Sequence, residues 1–274
     1  MRYLYAAPSN SKSSDPENTT VPTVLLLHGV LGYSFSWRFT IPALSRQFRV
    51  FAPDMLGLGF SDRPPKLDVC MPAVASRVLQ FMDLVGIDAA HIVGTSRGGA
   101  IAAVLGVKTP QRIIHLVLAA PVNPWSRHGM AQTSLLGSPP GAAVLRLVAP
   151  ALRPFYGYFL ERMYGDPRRI PGGTLAAYTQ AIQIPGTLDH LLRVASCWRA
   201  DLSYLEQIYT ELSSIPTLLV WGDRDGAVLP QSARELQNRM ANSKLVMLPG
   251  VGHLPYEESP QEFNDAVLEF LSAK

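Results

Sequence analysis

The stretch Gly94-Thr95-Ser96-Arg97-Gly98 constrains the fold more than any other part of the chain. The apolar run Ala90-His91-Ile92-Val93 leads into it, and Gly99-Ala100-Ile101-Ala102-Ala103-Val104-Leu105 follows. This pattern predicts a short strand, a very tight turn and a buried helix. A turn that sharp holds the serine in a strained conformation with its hydroxyl exposed. Glycines at 94 and 98 suit a place where strand and helix crowd together. Gly-x-Ser-x-Gly alone is a weak signal. With Gly and Ser each near ~7% of residues, it recurs by chance about once in ten chains of this length. Its weight comes from its flanks and from the partners found elsewhere in the chain.

The rest of the chain repeats the strand-then-helix rhythm. Arg2 to Tyr5 reads as a short edge strand, and the polar stretch 9–18 with Pro16 as an exposed loop. Thr23 to Leu27 is a continuous β-prone run, the pattern of a strand buried on both faces of a parallel sheet. A helix is expected over 35–46, a strand over 49–52, and a Gly/Pro-marked loop over 57–65. Met71, Val74, Val78, Met82 and Val85 recur on one helical face ahead of Gly86, so 71–85 reads as an amphipathic helix. A strand over 113–119 follows. From Pro121 to about 204 no strand is convincing, and four or five helices are expected, among them 141–151, 155–164, 173–183 and 188–198. Strand and helix then alternate again over 217–221, 230–240, 244–248 and 260–271. The expected architecture is α/β: a mostly parallel, doubly wound sheet of about seven or eight strands flanked by helices. Its core is formed by 1–120 and 205–274, with the helical segment 121–204 inserted between two strands.

Length and charge narrow the possibilities. A chain of 274 residues, 47% of them hydrophobic, can bury one large α/β core. The formal net charge of +3 comes without a Lys/Arg run, so no nucleic-acid partner is expected. No apolar run reaches the roughly 18 residues of a membrane span, and no segment reads as surface-active, so no membrane partner is expected either. Met1 to Pro8 is too short and polar for a leader. Cys70 and Cys197 lack metal-ligand spacing and read as free thiols, in keeping with a cytoplasmic location. No repeat or low-complexity block is present.

A serine hydroxyl attacks poorly at neutral pH unless a base lies within hydrogen-bond reach and a further group orients that base. In open parallel sheets such groups gather at the carboxyl ends of strands. After 217–221 comes Gly222-Asp223-Arg224-Asp225, and after 244–248 comes Pro249-Gly250-Val251-Gly252-His253. The order Ser, Asp, His belongs to one fold among those that carry this constellation.

At this point the chain resembles the α/β-hydrolase superfamily, in its serine-hydrolase, esterase-like branch with a helical cap. The landmarks are His28-Gly29 after a strand, Asp54-x-x-Gly57-x-Gly59-x-Ser61-Asp62, the elbow around Ser96, Trp221-Gly222-x-x-Asp225, and Gly252-His253 followed by Glu257 or Glu258 and Pro260. The resemblance implies Ser96 as nucleophile, His253 as base and Asp225 as the orienting acid, with Asp223 a rival two residues away. The loop Pro121-Val122-Asn123, where some relatives place the acid, holds no carboxylate. The resemblance also implies an oxyanion hole from the backbone N–H groups of Val30 and Arg97, and a structural role for His28. The Arg97 side chain departs from the hydrophobic residue often found there; it points away into a surface pair or else biases the pocket.

The function so implied is hydrolysis of carboxylic esters with small to medium acyl chains through an acyl-enzyme, with no metal or organic cofactor. A lactonase, thioesterase, carbon–carbon bond hydrolase or cofactor-free perhydrolase would use the same triad, and a non-catalytic ligand receptor would keep only the fold. Epoxide hydrolases and haloalkane dehalogenases resemble the chain but carry aspartate at the elbow, where Ser96 stands here. Many carbon–carbon bond hydrolases carry Trp after the base, where this chain has Leu254. The segment 121–204 holds eight Arg, no Lys and four acids, a net +4 borne on helix faces.

Overall fold

The computed structural model describes residues 1–8, 21–126 and 129–273. The loop expected over 9–18 lies outside them. Strands β1 (Tyr3–Ala6), β2 (Thr23–Leu27) and β3 (Arg49–Pro53) precede a short helix-free loop, α1 (Ile41–Leu44) lying between β2 and β3. Then come α2 (Met71–Leu84), β4 (Ala90–Thr95), α3 (Arg97–Lys108) and β5 (Ile113–Ala119). Five helices follow: α4 (Met130–Gly137), α5 (Pro139–Val148), α6 (Tyr156–Glu161), α7 (Thr174–Ile182) and α8 (Thr187–Ile208). The chain ends with β6 (Thr217–Gly222), α9 (Gln231–Arg239), β7 (Ser243–Leu248), α10 (Pro255–Glu258) and α11 (Pro260–Ser272).

Among the described residues seven strands form one sheet in the order β1-β3-β2-β4-β5-β6-β7. Only β1 runs antiparallel, pairing Tyr3 with Pro53 along β3. The buried strands are apolar on both faces because helices cover both. Leu25, Leu27 and Ile92 face a layer of α2, α3, α8 and α9, whereas Val24, Leu26 and Val93 face Trp37, Leu44 of α1 and Phe263, Val267 and Leu271 of α11. After β3 the chain crosses to the far side of β2 and lays down β4. That reversal is the switch point of a doubly wound sheet, and it opens a crevice beyond the carboxyl ends of β2 and β4.

The helix expected over 35–46 is broken. A 3-10 turn, Ser34–Trp37, is followed by the four-residue α1. Pro42 has no N–H to offer the carbonyl of Arg38, so a continuous helix cannot run through it. The five helices α4–α8 match the expected four or five; α4 is the one with no range expected, because it lacks a clear apolar face for periodicity to reveal. Helix α8 extends ten residues past the expected Trp198 and runs unbroken through 204, burying Leu202, Leu205 and Ile208 against the core.

The reading of Cys70 and Cys197 as free thiols is corrected. The two form a disulfide with Cα atoms 5.4 Å apart, joining the residue that precedes α2 to the middle of α8. Their separation of 127 residues carries no local spacing signal. Disulfides persist in oxidising compartments, so the thiol argument for a cytoplasmic location falls away. Among the described residues, no single helix is long and apolar enough to cross a membrane. Closing so long a loop restrains the unfolded chain strongly. Cys70→Ser is expected to cost about 2–5 kcal/mol of stability, read as a lower urea midpoint that reductant reproduces in the unmutated protein. Equal midpoints with and without reductant would show that the bridge does not contribute.

Candidate active site

The elbow has the predicted form. Ser96 sits between β4 and α3 with φ 52° and ψ −120°, a conformation that residues with a Cβ rarely adopt. The neighbours hold it there: Ser96 N–H donates to Ala119 at 2.9 Å, and its carbonyl accepts from Ala100 at 3.1 Å and Val122 at 3.0 Å. Ala120, at the end of the adjacent β5, is also strained, with φ 42°. A Cβ on Gly98 would lie 2.2 Å from the Leu27 carbonyl oxygen, and one on Gly94 would lie 2.5 Å from that of Gly98. Strand β4, helix α3 and the end of β2 therefore meet at backbone contact.

Beyond this turn lies a cavity of about 610 Å³. Ser96, Val30 and His253 all line it. Val30 follows β2, beside β4 at the switch point, while His253 follows the edge strand β7, and the two loops line the same cavity as Ser96. The backbone N–H of Arg97 is the first of α3, among the helix-start amides that have no partner inside the helix. The helix dipole adds to its pull on negative charge.

His253 is 6% exposed, and its Nδ1 lies 2.7 Å from Asp225 Oδ2. A carboxylate can only accept, so Nδ1 carries the proton and Nε2 presents its lone pair. Asp225 is buried, and its other oxygen accepts from Ala227 N–H at 2.8 Å and Val228 N–H at 2.9 Å. Asp223 is exposed and faces elsewhere, accepting from Gly250 N–H at 2.6 Å. The structure thus brings Asp225, and not Asp223, to the imidazole.

His28 is fully buried on both ring nitrogens. Nδ1 donates to the Gly29 carbonyl at 2.8 Å and Nε2 accepts from Met55 N–H at 2.9 Å. Both bonds require the neutral ring, and burial lowers its pKa. It braces the two loops that start at β2 and β3 and has no nitrogen left for a substrate. The Arg97 side chain reaches neither the surface nor the pocket. It is 2% exposed, donates to the Val69 carbonyl and lies 3.8 Å from Asp201 of α8. Burial pushes its pKa down to about 10, against the opposing pull of Asp201. Asp201 also accepts from Met71 N–H at 2.8 Å, beside the disulfide. The residue after Ser96 is tied through this cluster to the helix whose Trp198 and Leu202 line the cavity.

Sequence reasoning missed a buried polar network against the cavity wall. Glu257 accepts from Arg38 at 2.9 Å, Tyr164 at 2.8 Å and Tyr178. Tyr178 meets Ser36 at 2.9 Å, and both residues line the cavity. Next to it, Glu258 accepts from the N–H groups of Gly252, Gly165 and Asp166 at 2.7–2.9 Å. His253 N–H itself donates to Met163 at 2.7 Å. The loop bearing the imidazole is thereby clamped to the segment between α6 and α7. The landmark glutamates were visible in sequence, but the tyrosines they hold were not. Asp68, Cys70 and Cys197 are a cluster of metal-ligating residue types, but both sulfurs are committed to the disulfide.

Two further buried histidines set an acid limit on the fold. Burial holds His91 at about 4 and, with nearby arginines, His190 at about 3. The His190 ring packs so tightly on Gly57 that a Cβ there would fall 1.9 Å from Nδ1, and Gly57 has φ +93°. Below the ordinary histidine value near 6.5, the unfolded chain takes up protons that the folded one refuses. Stability must therefore fall as pH drops from about 6.5 toward 4, by up to about 1.4 kcal/mol per pH unit for each such histidine. Urea midpoints at pH 7, 6 and 5 check this. Midpoints that stay level or rise on acidification would contradict it.

A family model for the α/β-hydrolase fold matches residues 22–260, and the chain belongs to that family. Haloalkane dehalogenase 2 of Mycobacterium tuberculosis is 28% identical over 264 residues, covering 91% of this chain and 88% of that protein. Lipase 3 of Moraxella sp. (strain TA144) is 27% identical over 263 residues, covering 91% and 77%. Among solved structures, the epoxide hydrolase CorEH superposes with a TM-score of 0.82 at 22% identity, covering 98% of this chain and 94% of that one. These neighbours span several hydrolytic chemistries, so the reaction of this chain must be argued from its own site.

Proposed function

We propose that this chain is a serine hydrolase of carboxylic esters, with residues 121–204 as a helical cap over the site. The observation that carries this reading is the Asp225–His253 pair, 2.7 Å apart, opening on the cavity that Ser96 also lines. Ser96 Oγ attacks the ester carbonyl while His253 Nε2 takes its proton. The Val30 and Arg97 amides hold the oxyanion, the kind of preorganised donor pair that supplies a large share of such rate enhancements. His253 then protonates the departing alcohol, leaving an acyl-Ser96. It next takes a proton from water as the water oxygen bonds to the acyl carbon, and returns that proton to Ser96 Oγ as the acyl–Oγ bond breaks, which releases the acid and restores the serine. The aspartate that the resemblance ascribes to dehalogenases and epoxide hydrolases at the elbow is absent, so the attacking group here is a hydroxyl.

Leu160, Met163, Ile182, Trp198, Val228 and Leu254 make the cavity wall mainly apolar. Its volume lies within the range of small-molecule pockets. Both properties favour small to medium acyl groups. On p-nitrophenyl esters, kcat/KM is expected to be higher for C2–C6 than for C12–C16 acyl chains, with fluorophosphonate labelling of Ser96 as the check on mechanism. Faster turnover of lactones or thioesters in the same panel would reassign the substrate. A protein that neither turns over any of these nor takes the label would not be a serine hydrolase.

A further inference from the structure

The segment from Pro139 to Phe155 carries two charged side chains, Arg146 and Arg153, and is otherwise built of apolar residues, alanine, glycine and proline. A helix of that composition normally buries a face. Here only Ala142 is buried. Val144 is 61% exposed and Leu147 81%, and exposed Leu135, Phe155, Tyr158 and Phe159 extend the surface along α4 and α6. Water-facing apolar surface on this scale marks a site of contact with something else.

The position of the patch narrows what that is. Phe159 and Leu175 are each exposed and also line the catalytic cavity, so the apolar surface runs into the cavity mouth. A second protein seated there would stop the mouth. A lipid phase seated there would instead deliver apolar solutes to it. Charge points the same way: Arg146, Arg153 and, at the mouth, Arg162 outnumber the acids Glu161 and Asp189. Arg146 meets Asp189 at 2.8 Å, but both side chains are half exposed or more, and such a pair exchanges partners cheaply. Exposed aliphatic and aromatic side chains beside arginines that outnumber the acids form the surface that lies in an anionic membrane interface.

We propose that the α4–α6 face docks on an anionic lipid surface and that apolar substrate enters the cavity from the lipid side. The lack of a spanning run does not bear on docking, because lying on a surface requires none. The exposed apolar face of α5 is the surface-active segment that this proposal adds. Docking is independent of the reaction proposed above, because vesicle binding is measured without turnover.

The test is flotation of the full chain with vesicles of phosphatidylcholine alone and of phosphatidylcholine with about a third phosphatidylglycerol, at moderate salt. The unmutated protein should float with the anionic vesicles at least several-fold more than with the neutral ones. The double variant Val144→Glu, Leu147→Glu should lose at least tenfold in vesicle binding. Neither side chain touches the cavity and glutamate is a good helix former, so hydrolysis of a water-soluble ester should stay within twofold. If circular dichroism shows that the double variant is misfolded, Leu147→Ser alone serves, and the two-vesicle comparison stands without any variant. No flotation on anionic vesicles, or equal flotation on both kinds, overturns the proposal. So does a stable dimer in sedimentation that the same substitutions dissociate, since that would make a second copy the occupant.

Discussion

Ser96→Ala is expected to lower ester kcat by a factor on the order of 10⁴ or more while leaving the fold in place. The two halves of that expectation rest on different observations. Alanine keeps the Cβ, so the strained backbone at φ 52° suffers no more than it does with serine. The three backbone hydrogen bonds that hold the turn do not involve the hydroxyl. What disappears is the one oxygen that can form the acyl-enzyme, while His253, Asp225 and the amides remain. Residual hydrolysis by water activated at His253 is the floor. The measurement is steady-state turnover on a single p-nitrophenyl ester, with thermal melting and fluorophosphonate labelling on the same sample. A folded Ser96→Ala protein within tenfold of the original rate would end the serine-hydrolase reading.

Much of the fold was legible because its signals are local. A buried parallel strand is an apolar run, an amphipathic helix a period, and the elbow a pair of glycines that backbone contact demands. The Asp-then-His order was legible because the sheet gathers strand ends, whatever lies between them in sequence. What sequence could not show depends on pairs of residues far apart in the chain. Cys70 meets Cys197, Arg97 meets Asp201, and Tyr178 meets Glu257, each through α7 or α8 folding back over the sheet. Neither partner in any of these pairs advertises the other. The break at Pro42 was visible in principle, since a proline inside a helix lacks the N–H that the turn before it needs. The surface exposure of α5 was the least legible feature, since an apolar helix reads as buried until its neighbours are known.

The choice between the two aspartates of the β6 loop yields the last prediction, and the hydrogen bonds around each decide its sign. Asp225 Oδ1 accepts from two backbone N–H groups, those of Ala227 and Val228. In Asp225→Asn those amides would keep the amide oxygen facing them, because the alternative would set two donors against an NH₂. The NH₂ is then forced toward His253 Nδ1. A donor there favours the tautomer with Nδ1 unprotonated, and the proton moves to Nε2, which faces the cavity. An imidazole in that form cannot take the serine proton. The same acid-to-amide change costs about 10⁴ in kcat in a serine protease with this constellation. The expectation here is a loss of roughly 10²–10⁴, the lower end applying where the ring flips or shifts to recover the right tautomer. Asp223 makes a different bond, accepting from Gly250 N–H at the exposed end of the loop. An asparagine oxygen can accept from that amide equally well, so Asp223→Asn should lose less than about tenfold. Both variants are compared on one ester after their melting curves have been matched. If Asp223→Asn is the more damaged in kcat, the carboxylate that orients His253 during turnover is not the one that faces it in the folded chain.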